Sequence, residues 1–410
     1  MSVPSSAVFA KRRTRLLEAA GEGLVIVRGA GPNRNFEYLT GLAEPAGALL
    51  LDEHGVRVGF GRAYPGRDYQ RGRRVRQILF LPPSDPLLAS WGEDGSATFG
   101  SVTAEQAGVD LVLPASEWTS VLGQALAETR RVHVVRAAEP TMAGAADGDA
   151  AMVADLRQRF FHLEVRDATA AVHAMRQRKE PGEIEAMRRA IAVTAAALEA
   201  AYATVRPGVA EHAVEAEITR AYRAAGARHA FDPIVGCGAN ACLLHYSKNT
   251  GTIRAGELLL IDTGAALGGY CADVTRTVPV AGKFTKRQRE VYDVVLRALE
   301  AATARVAPGV SLGEVHEAAW QVISDAGFAE SYPHGTSHHL GMDVHDVGDR
   351  FAPLAEGAVI TVEPGIYLAS EGIGVRIEDD VLVTRSGREV LTAAIAKDPE
   401  AIEAALGARA

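Results

Sequence analysis

Five residues in the second half of the chain have types and spacing suited to holding metal. Leu258-Leu-Leu-Ile-Asp262-Thr-Gly264 is an apolar run that ends in an acid. A carboxylate at the end of a buried strand is unfavourable unless it is paired or holds a cation. Taken alone, Asp262 also suits a turn or a helix cap. Eleven residues on, Asp273 opens the β-branched stretch Ala272-Asp273-Val-Thr-Arg-Thr-Val-Pro279, which is expected to pair with the preceding run as a hairpin. Two carboxylates brought close repel, and a cation is their natural neutraliser. His334-Gly-Thr-Ser-His338-His339-Leu-Gly-Met-Asp-Val-His345 spaces histidines by four and seven among glycines, a pattern rare in an ordinary core. Neutral imidazole is a good ligand for transition metals. Ile360-Thr-Val-Glu363-Pro-Gly365 is a second apolar run ending in an acid, and Gly372-Ile-Gly-Val-Arg376-Ile-Glu378-Asp379-Asp380 follows it. As one strand, that last stretch sends Arg376, Glu378 and Asp380 to one face and Asp379 to the other.

Asp262, Asp273, Glu363 and Glu378 with His338 make an oxygen-rich donor set. Such a set favours Mn²⁺, Co²⁺, Zn²⁺ or Mg²⁺ over soft-ligand metals. Four carboxylates exceed what one catalytic ion needs, so two ions with bridging carboxylates are expected. Paired ions activate a water and polarise a carbonyl.

The elements that must position these residues form an internal repeat. Ala197-Leu-Glu-Ala-Ala-Tyr-Ala-Thr-Val-Arg-Pro-Gly-Val209 is echoed 101 residues later by Ala298-Leu-Glu-Ala-Ala-Thr-Ala-Arg-Val-Ala-Pro-Gly-Val310. The register continues through Val214 and Val315, Gly226 and Gly327, and Asp262 and Glu363. Each half reads as helix, Pro-Gly turn, helix and a buried strand ending in a carboxylate. Two such halves are expected to pack about a pseudo-twofold axis, with the metals on it. Pro181 suits the first turn of a long helix running from Glu180 to Val205.

Before this lies an α/β pattern of single-domain length. Its expected strands are Leu24–Val27, Gly47–Leu51, Gln77–Leu81, Asp110–Leu113 and Val132–Val135, and its expected helices include Lys11–Ala20, Ser116–Glu128 and Ala150–Phe161. The domains are therefore taken as 1–165 and 166–410. The basic run Arg71–Arg76 reads as a solvated loop. A net charge of −8 over 410 residues argues against nucleic acid as a partner. Three cysteines without a Cys-x-x-Cys pair indicate neither a disulfide framework nor a thiolate zinc site. With no apolar run of membrane-spanning length and no signal-like segment, the expected location is the cytoplasm.

The stretch from about Glu180 to Glu403 resembles the pita-bread metallopeptidases, in particular their Xaa-Pro branch of aminopeptidase P and prolidase. The motifs that carry the resemblance are Ile234-Val-Gly-Cys-Gly-Ala-Asn, Leu244-His245-Tyr246, Ile261-Asp-Thr-Gly, Ala272-Asp-Val-Thr-Arg-Thr, the His334–His345 block, Thr361-Val-Glu-Pro-Gly and Gly374-Val-Arg-Ile-Glu-Asp-Asp. The N-terminal part, including Asn35-Phe-Glu-Tyr-Leu-Thr-Gly-Leu-Ala-Glu-Pro45, is similar to the family's creatinase-like N-terminal domain. The resemblance implies an α/β (α+β) architecture of these two domains and two divalent ions per subunit, with Mn²⁺ expected and Co²⁺ or Zn²⁺ as alternatives. It implies that Asp262 holds one ion, His338 and Glu363 the other, and that Asp273 and Glu378 bridge them. Glu363 would shuttle the proton, His245 and His345 would flank the reacting amide, and His334 would line the proline pocket. Arg376 would support Glu378 or touch substrate, and Tyr367 is a further candidate wall. Short proline-containing peptides are the implied substrates, and a homodimer or homotetramer is the implied assembly.

The implied reaction is release of the first residue from peptides with proline second. Prolidase action on Xaa-Pro dipeptides is the alternative, because only fourteen residues separate Glu363 from Glu378 and a compact site favours short substrates. Methionine aminopeptidase usually lacks the N-terminal domain, and creatinase lacks the ligands. A non-catalytic binding module of the same fold would be expected to have lost ligands, and all five are here.

Overall fold

A computed structural model describes residues 6–29, 33–42, 47–58, 73–84, 97–137 and 148–407. They fall into two compact units, Met1–Arg176 and Gln177–Ala410.

The first unit is built on a six-stranded sheet. In chain order its strands are β1 (Leu24–Arg28), β2 (Ala48–Arg57), β3 (Arg74–Leu81), β4 (Leu111–Pro114), β5 (Arg131–Val135) and β6 (Glu164–Asp167), and their order across the sheet is β4-β3-β2-β1-β5-β6. The apolar runs read from the sequence supply the first five. β6 has no apolar signature, since two of its four residues are acidic and three are exposed. It is recruited by parallel pairing with β5, from Arg131 opposite Glu164 to Val134 opposite Asp167. The expected boundary after residue 165 falls inside β6, which stays with the first unit. Helices Ser6–Ala20, Trp118–Glu128 and Gly148–Arg159 stand where helices are expected. The basic run is not all loop: Arg74 begins β3 and donates to the carbonyl of Gly55 and to Glu128. Arg71, Glu44 and Pro45 lie outside the described residues.

The second unit carries the repeat. Helices Pro181–Thr204 and Glu211–Ala224 form one pair, Lys286–Arg305 and Leu312–Asp325 the other. Three of the four begin in reciprocal caps, Glu180 with Glu183, Thr285 with Gln288, and Ser311 with Glu314, which satisfy otherwise orphaned backbone donors. The 101-residue offset extends to single hydrogen bonds. Gly208 N donates to Ile253 O at 2.9 Å and Gly309 N to Leu354 O at 2.8 Å, while Ile253 N returns to Val209 O and Leu354 N to Val310 O. Both turn glycines have positive φ, +88° and +86°, a conformation that a side chain disfavours.

Each half then supplies a small antiparallel sheet. In the first, Leu258–Thr263 lies between Ile234–Cys237 and Val274–Pro279. In the second, Asp379–Thr384 lies between Val359–Val362 and Gly387–Val390. The second half has no regular strand matching Ile234–Cys237. The histidine segment runs along Val359–Glu363 instead, with Glu363 N donating to Thr336 O, Thr361 N to His338 O and Leu340 N to Val359 O. Among the described residues no helix is long and apolar enough to cross a membrane.

Candidate metal centre

The hairpin places the first two acids. Thr275 faces Asp262 and Val274 faces Thr263 in the register, so Asp273, just before Val274, sits at the same end of the ladder as Asp262. The hairpin continues through Ala265–Leu267 and Tyr270–Cys271, and its two arms pass closely beside the acids: a Cβ on Gly264 would lie 1.8 Å from Ala272 O. The Arg376–Asp380 stretch is not one strand. Ile373–Arg376 pairs with Gly365–Leu368 and Asp379–Thr384 pairs with Val359–Val362, with Ile377 and Glu378 linking them. The alternation of faces nevertheless survives the break in the side-chain partners. Arg376 donates to Asp262, Glu378 accepts from the Thr275 hydroxyl at 2.7 Å, and Asp379 turns away to Arg276 at 2.9 Å.

Ligand atoms of Asp273, His338 and Glu378 lie within 4.8 Å of one another. His338 Nε2 is 3.4 Å from Asp273 Oδ2 and 3.5 Å from Glu363 Oε1. The His338 Nδ1–H donates to the carbonyl of His339 at 3.1 Å, which turns Nε2 toward the acids. Asp262 stands beside this cluster. Its Oδ2 is taken by Arg376, and its Oδ1 is buried with no hydrogen-bond partner among the described residues.

The electrostatics of the acids suit a cation. Burial, then the charge of Asp262, raises the Asp273 carboxyl well above the usual range, while Arg376 opposes the shift. Burial followed by Asp273, Glu363 and Asp262 does the same to Glu378. Burial pushes Glu363 up to about 7 against the pull of His338 and Arg376. An orphaned buried oxygen and crowded acids that repel one another fit divalent ions among them.

Of the remaining candidates, Arg376, Tyr367 and His334 share one network. Arg376 Nη1 donates to the Tyr367 hydroxyl at 2.9 Å. His334 Nε2 is 2.9 Å from that hydroxyl, and its Nδ1–H donates to Gly335 O. The Tyr367 O–H therefore donates to His334 Nε2. Burial is the main cause that pushes His334 down to about 4, with Arg376, His316 and His245 adding to it. The ring of His345 packs edge-on to His338, 4.4 Å between centroids. Burial, then His338 and His245, holds His345 below its ordinary value. His245 is exposed on the segment after the short helix Gly238–Cys242.

Sequence reading missed the supports. Thr275, two residues from Asp273 on its strand, holds Glu378, and strand alternation alone could have found it. Asp380 is buried, accepts from Asp273 N at 3.3 Å, and has Oδ1 without a partner among the described residues. Thr336 sits between the His316 ring and the Tyr332 hydroxyl beneath His334, and no local pattern announces it.

Comparison with known proteins shows the family. The family description "Metallopeptidase family M24" matches residues 185–385. The chain is 36% identical to the Xaa-Pro aminopeptidase of Escherichia coli over 98% of both proteins. It is 33% identical to the Xaa-Pro aminopeptidase of Haemophilus influenzae, over 90% of this chain and 86% of the relative. Aminopeptidase P from E. coli with the inhibitor Pro-Leu superposes with a TM-score of 0.84 at 32% identity, covering 100% of this chain and 99% of that one. Aminopeptidase PepP of Pseudomonas aeruginosa gives 0.86 at 32% identity with the same coverage. Divalent metal ions are implied by such a family, and the buried acid cluster is suited to them. By its fold, its full-length likeness and its donor set, the chain belongs to metallopeptidase family M24, in the pita-bread Xaa-Pro branch.

Proposed function

We propose that the protein is an Xaa-Pro aminopeptidase that releases the first residue from peptides with proline second. The observation that carries this is the group of buried Asp273 and Glu378 with half-buried His338, flanked by Asp262 and Glu363, in a chain whose full-length relatives bear that name. Asp262 would hold one ion and His338 and Glu363 the other, with Asp273 and Glu378 serving both. Mn²⁺ suits this oxygen-rich set, with Co²⁺ and Zn²⁺ as competitors. When bound, the pair supplies a Lewis acid and a water of lowered pKa.

The chain's own groups do the rest. Glu363 moves the proton from the attacking water to the leaving proline nitrogen. That nitrogen belongs to a tertiary amide with no N–H, so the substrate is selected by ring shape rather than by a backbone hydrogen bond. His334, kept neutral by burial and packed against Tyr332 and Tyr367, suits the wall of such a pocket. His245 and His345 flank the reacting amide and steady its oxygen. Arg376 fixes Asp262 and, through Tyr367, His334. Among the described residues Cys237, Cys242 and Cys271 form no disulfide, which suits a cytoplasmic protein, and a homodimer or homotetramer is the assembly proposed.

The test is hydrolysis of an Xaa-Pro-Yaa tripeptide and an Xaa-Pro dipeptide after chelation and reloading with Mn²⁺. The tripeptide is expected to be the better substrate and the chelated protein inactive. A preference for the dipeptide would give the prolidase reading. Failure on both peptides with Mn²⁺, Co²⁺ and Zn²⁺ would refute the proposal.

A further inference from the structure

The segment that presents His245 is built around a buried acid that the reaction does not use. Glu211 is the first residue of helix Glu211–Ala224 and is fully buried. Its Oε1 accepts from Cys237 N at 2.8 Å and Asn240 Nδ2 at 3.0 Å. Its Oε2 accepts from the Tyr246 hydroxyl at 2.8 Å and Gly251 N at 2.6 Å. These donors come from both ends and the middle of the segment. The Tyr246 hydroxyl also accepts from Asn240 Nδ2 at 3.0 Å and Thr250 N at 3.1 Å. A Cβ on Gly251 would come within 2.7 Å of Glu211 Oε2, so the close approach requires glycine. A carboxylate is acceptor-only with about four lone-pair sites, and here four donors meet one.

A second clamp lies one turn along the same helix. Asn249 is buried with φ +49°; its Oδ1 accepts from Val235 N, and its Nδ2 donates to Pro233 O and to Glu215. The other half repeats the plan. His316 stands 101 residues after Glu215, and its Nδ1 meets the Thr336 hydroxyl at 2.8 Å, beneath the segment that carries His334. In each half, the second helix anchors the loop that brings a histidine to the site.

We infer that Glu211 is a positioning residue for turnover: it pins Tyr246, and through Tyr246 fixes His245 against the substrate. This rests on the aminopeptidase reading above. The side-chain partners of Glu211 are Cys237, Asn240, Tyr246 and Gly251 and include none of the proposed ligands, so its removal is expected to act on kcat through His245 and to leave KM and bound metal in place.

The test uses the Mn²⁺-loaded full chain. Tyr246→Phe, which removes one O–H, and Glu211→Gln are made alone and in a His245→Ala background. Tyr246→Phe is expected to lower kcat on the tripeptide about 10-fold and Glu211→Gln up to about 100-fold, the scale of a misplacement near 1 Å. Neither should lower kcat further once His245 is alanine. A fall in that background equal to the fall in the parent would overturn the inference, as would an unaffected kcat in Tyr246→Phe. Ring NMR signals of ¹³C-labelled histidine, recorded on the chelated protein because Mn²⁺ would broaden them, give a reading independent of activity. The His245 signal, identified by its loss in His245→Ala, should shift in Tyr246→Phe while those of His334 and His345 stay. An unmoved His245 signal sinks the inference even if Glu211→Gln does not fold. An inactive parent protein, by contrast, marks failure of the aminopeptidase reading.

Discussion

The guanidinium of Arg376 donates to Oδ2 of Asp262, and the other oxygen of that carboxylate is buried with no hydrogen-bond partner among the described residues. Arg376 thus orients one lone pair of a proposed ligand toward the space between the acids. Support of this kind is typically worth 10- to 100-fold, as an order of magnitude, in metal affinity. Arg376→Met is therefore expected to weaken Mn²⁺ binding by about that factor in a calorimetric titration and to lower kcat/KM with it. Unchanged affinity would show that Asp262 orients itself.

Stability of the metal-free protein should depend on pH in an unusual direction. Burial and mutual repulsion raise Asp273, Glu363 and Glu378 above their ordinary values in the folded state. A raised folded-state pKa gives a contribution that is complete below the ordinary carboxylate value and is lost as pH rises through the folded value, which for Glu363 is about 7. Between about pH 5.5 and pH 8, the Tm of chelated protein should fall relative to that of the Mn²⁺-loaded form, since bound cations favour the ionised acids. A gap in Tm that stays constant across this range would contradict the assignment.

The repeat, the hairpin and the candidate acids were legible because they rest on local pattern: apolar runs, Pro-Gly turns and carboxylates at strand ends. Hairpin logic alone makes Asp262 and Asp273 neighbours, and the register brings them to one end. What escaped is polar and distant in sequence. β6 has no apolar alternation and exists through its pairing with β5. Glu211 looks like any acid at a helix start, yet its partners lie 26 to 40 residues away. Arg276 sits inside a β-branched strand, where only the fold reveals a buried cation. The repeat also hid a difference between its halves, since a strand in the first corresponds to the histidine segment in the second.

The crowding of acids gives a further expectation. Asp273 is buried near Asp262 and Glu378 in the absence of metal. Asp273→Asn keeps the shape and removes one charge. The chelated variant should melt at a higher temperature than chelated parent protein at pH 8, by several degrees if about 1–2 kcal/mol of repulsion is relieved. The same variant should lose activity and metal stoichiometry together. A lower Tm with metal binding intact would show that Asp273 is structural rather than a ligand.

Behind the centre, Arg276 is fully buried and spends its donors on the strands that carry the ligands. Its guanidinium reaches the backbone carbonyls of Thr275 and Glu378, those of Ile395 and Ala396 in the tail, and the Asp379 carboxylate. Lys397 and the Thr392 hydroxyl complete the coordination of Asp379. Breaking a buried ion pair from one side leaves its partner's charge undercompensated and costs about 3–5 kcal/mol. Lys397 remains to neutralise Asp379, so Arg276→Met should fall at the lower end, near 3 kcal/mol in urea unfolding. Because Arg276 holds the carbonyl of Glu378 itself, the loss should be larger in Mn²⁺-loaded protein than in chelated protein. Equal losses in the two forms would mean that Arg276 braces the tail and not the metal centre.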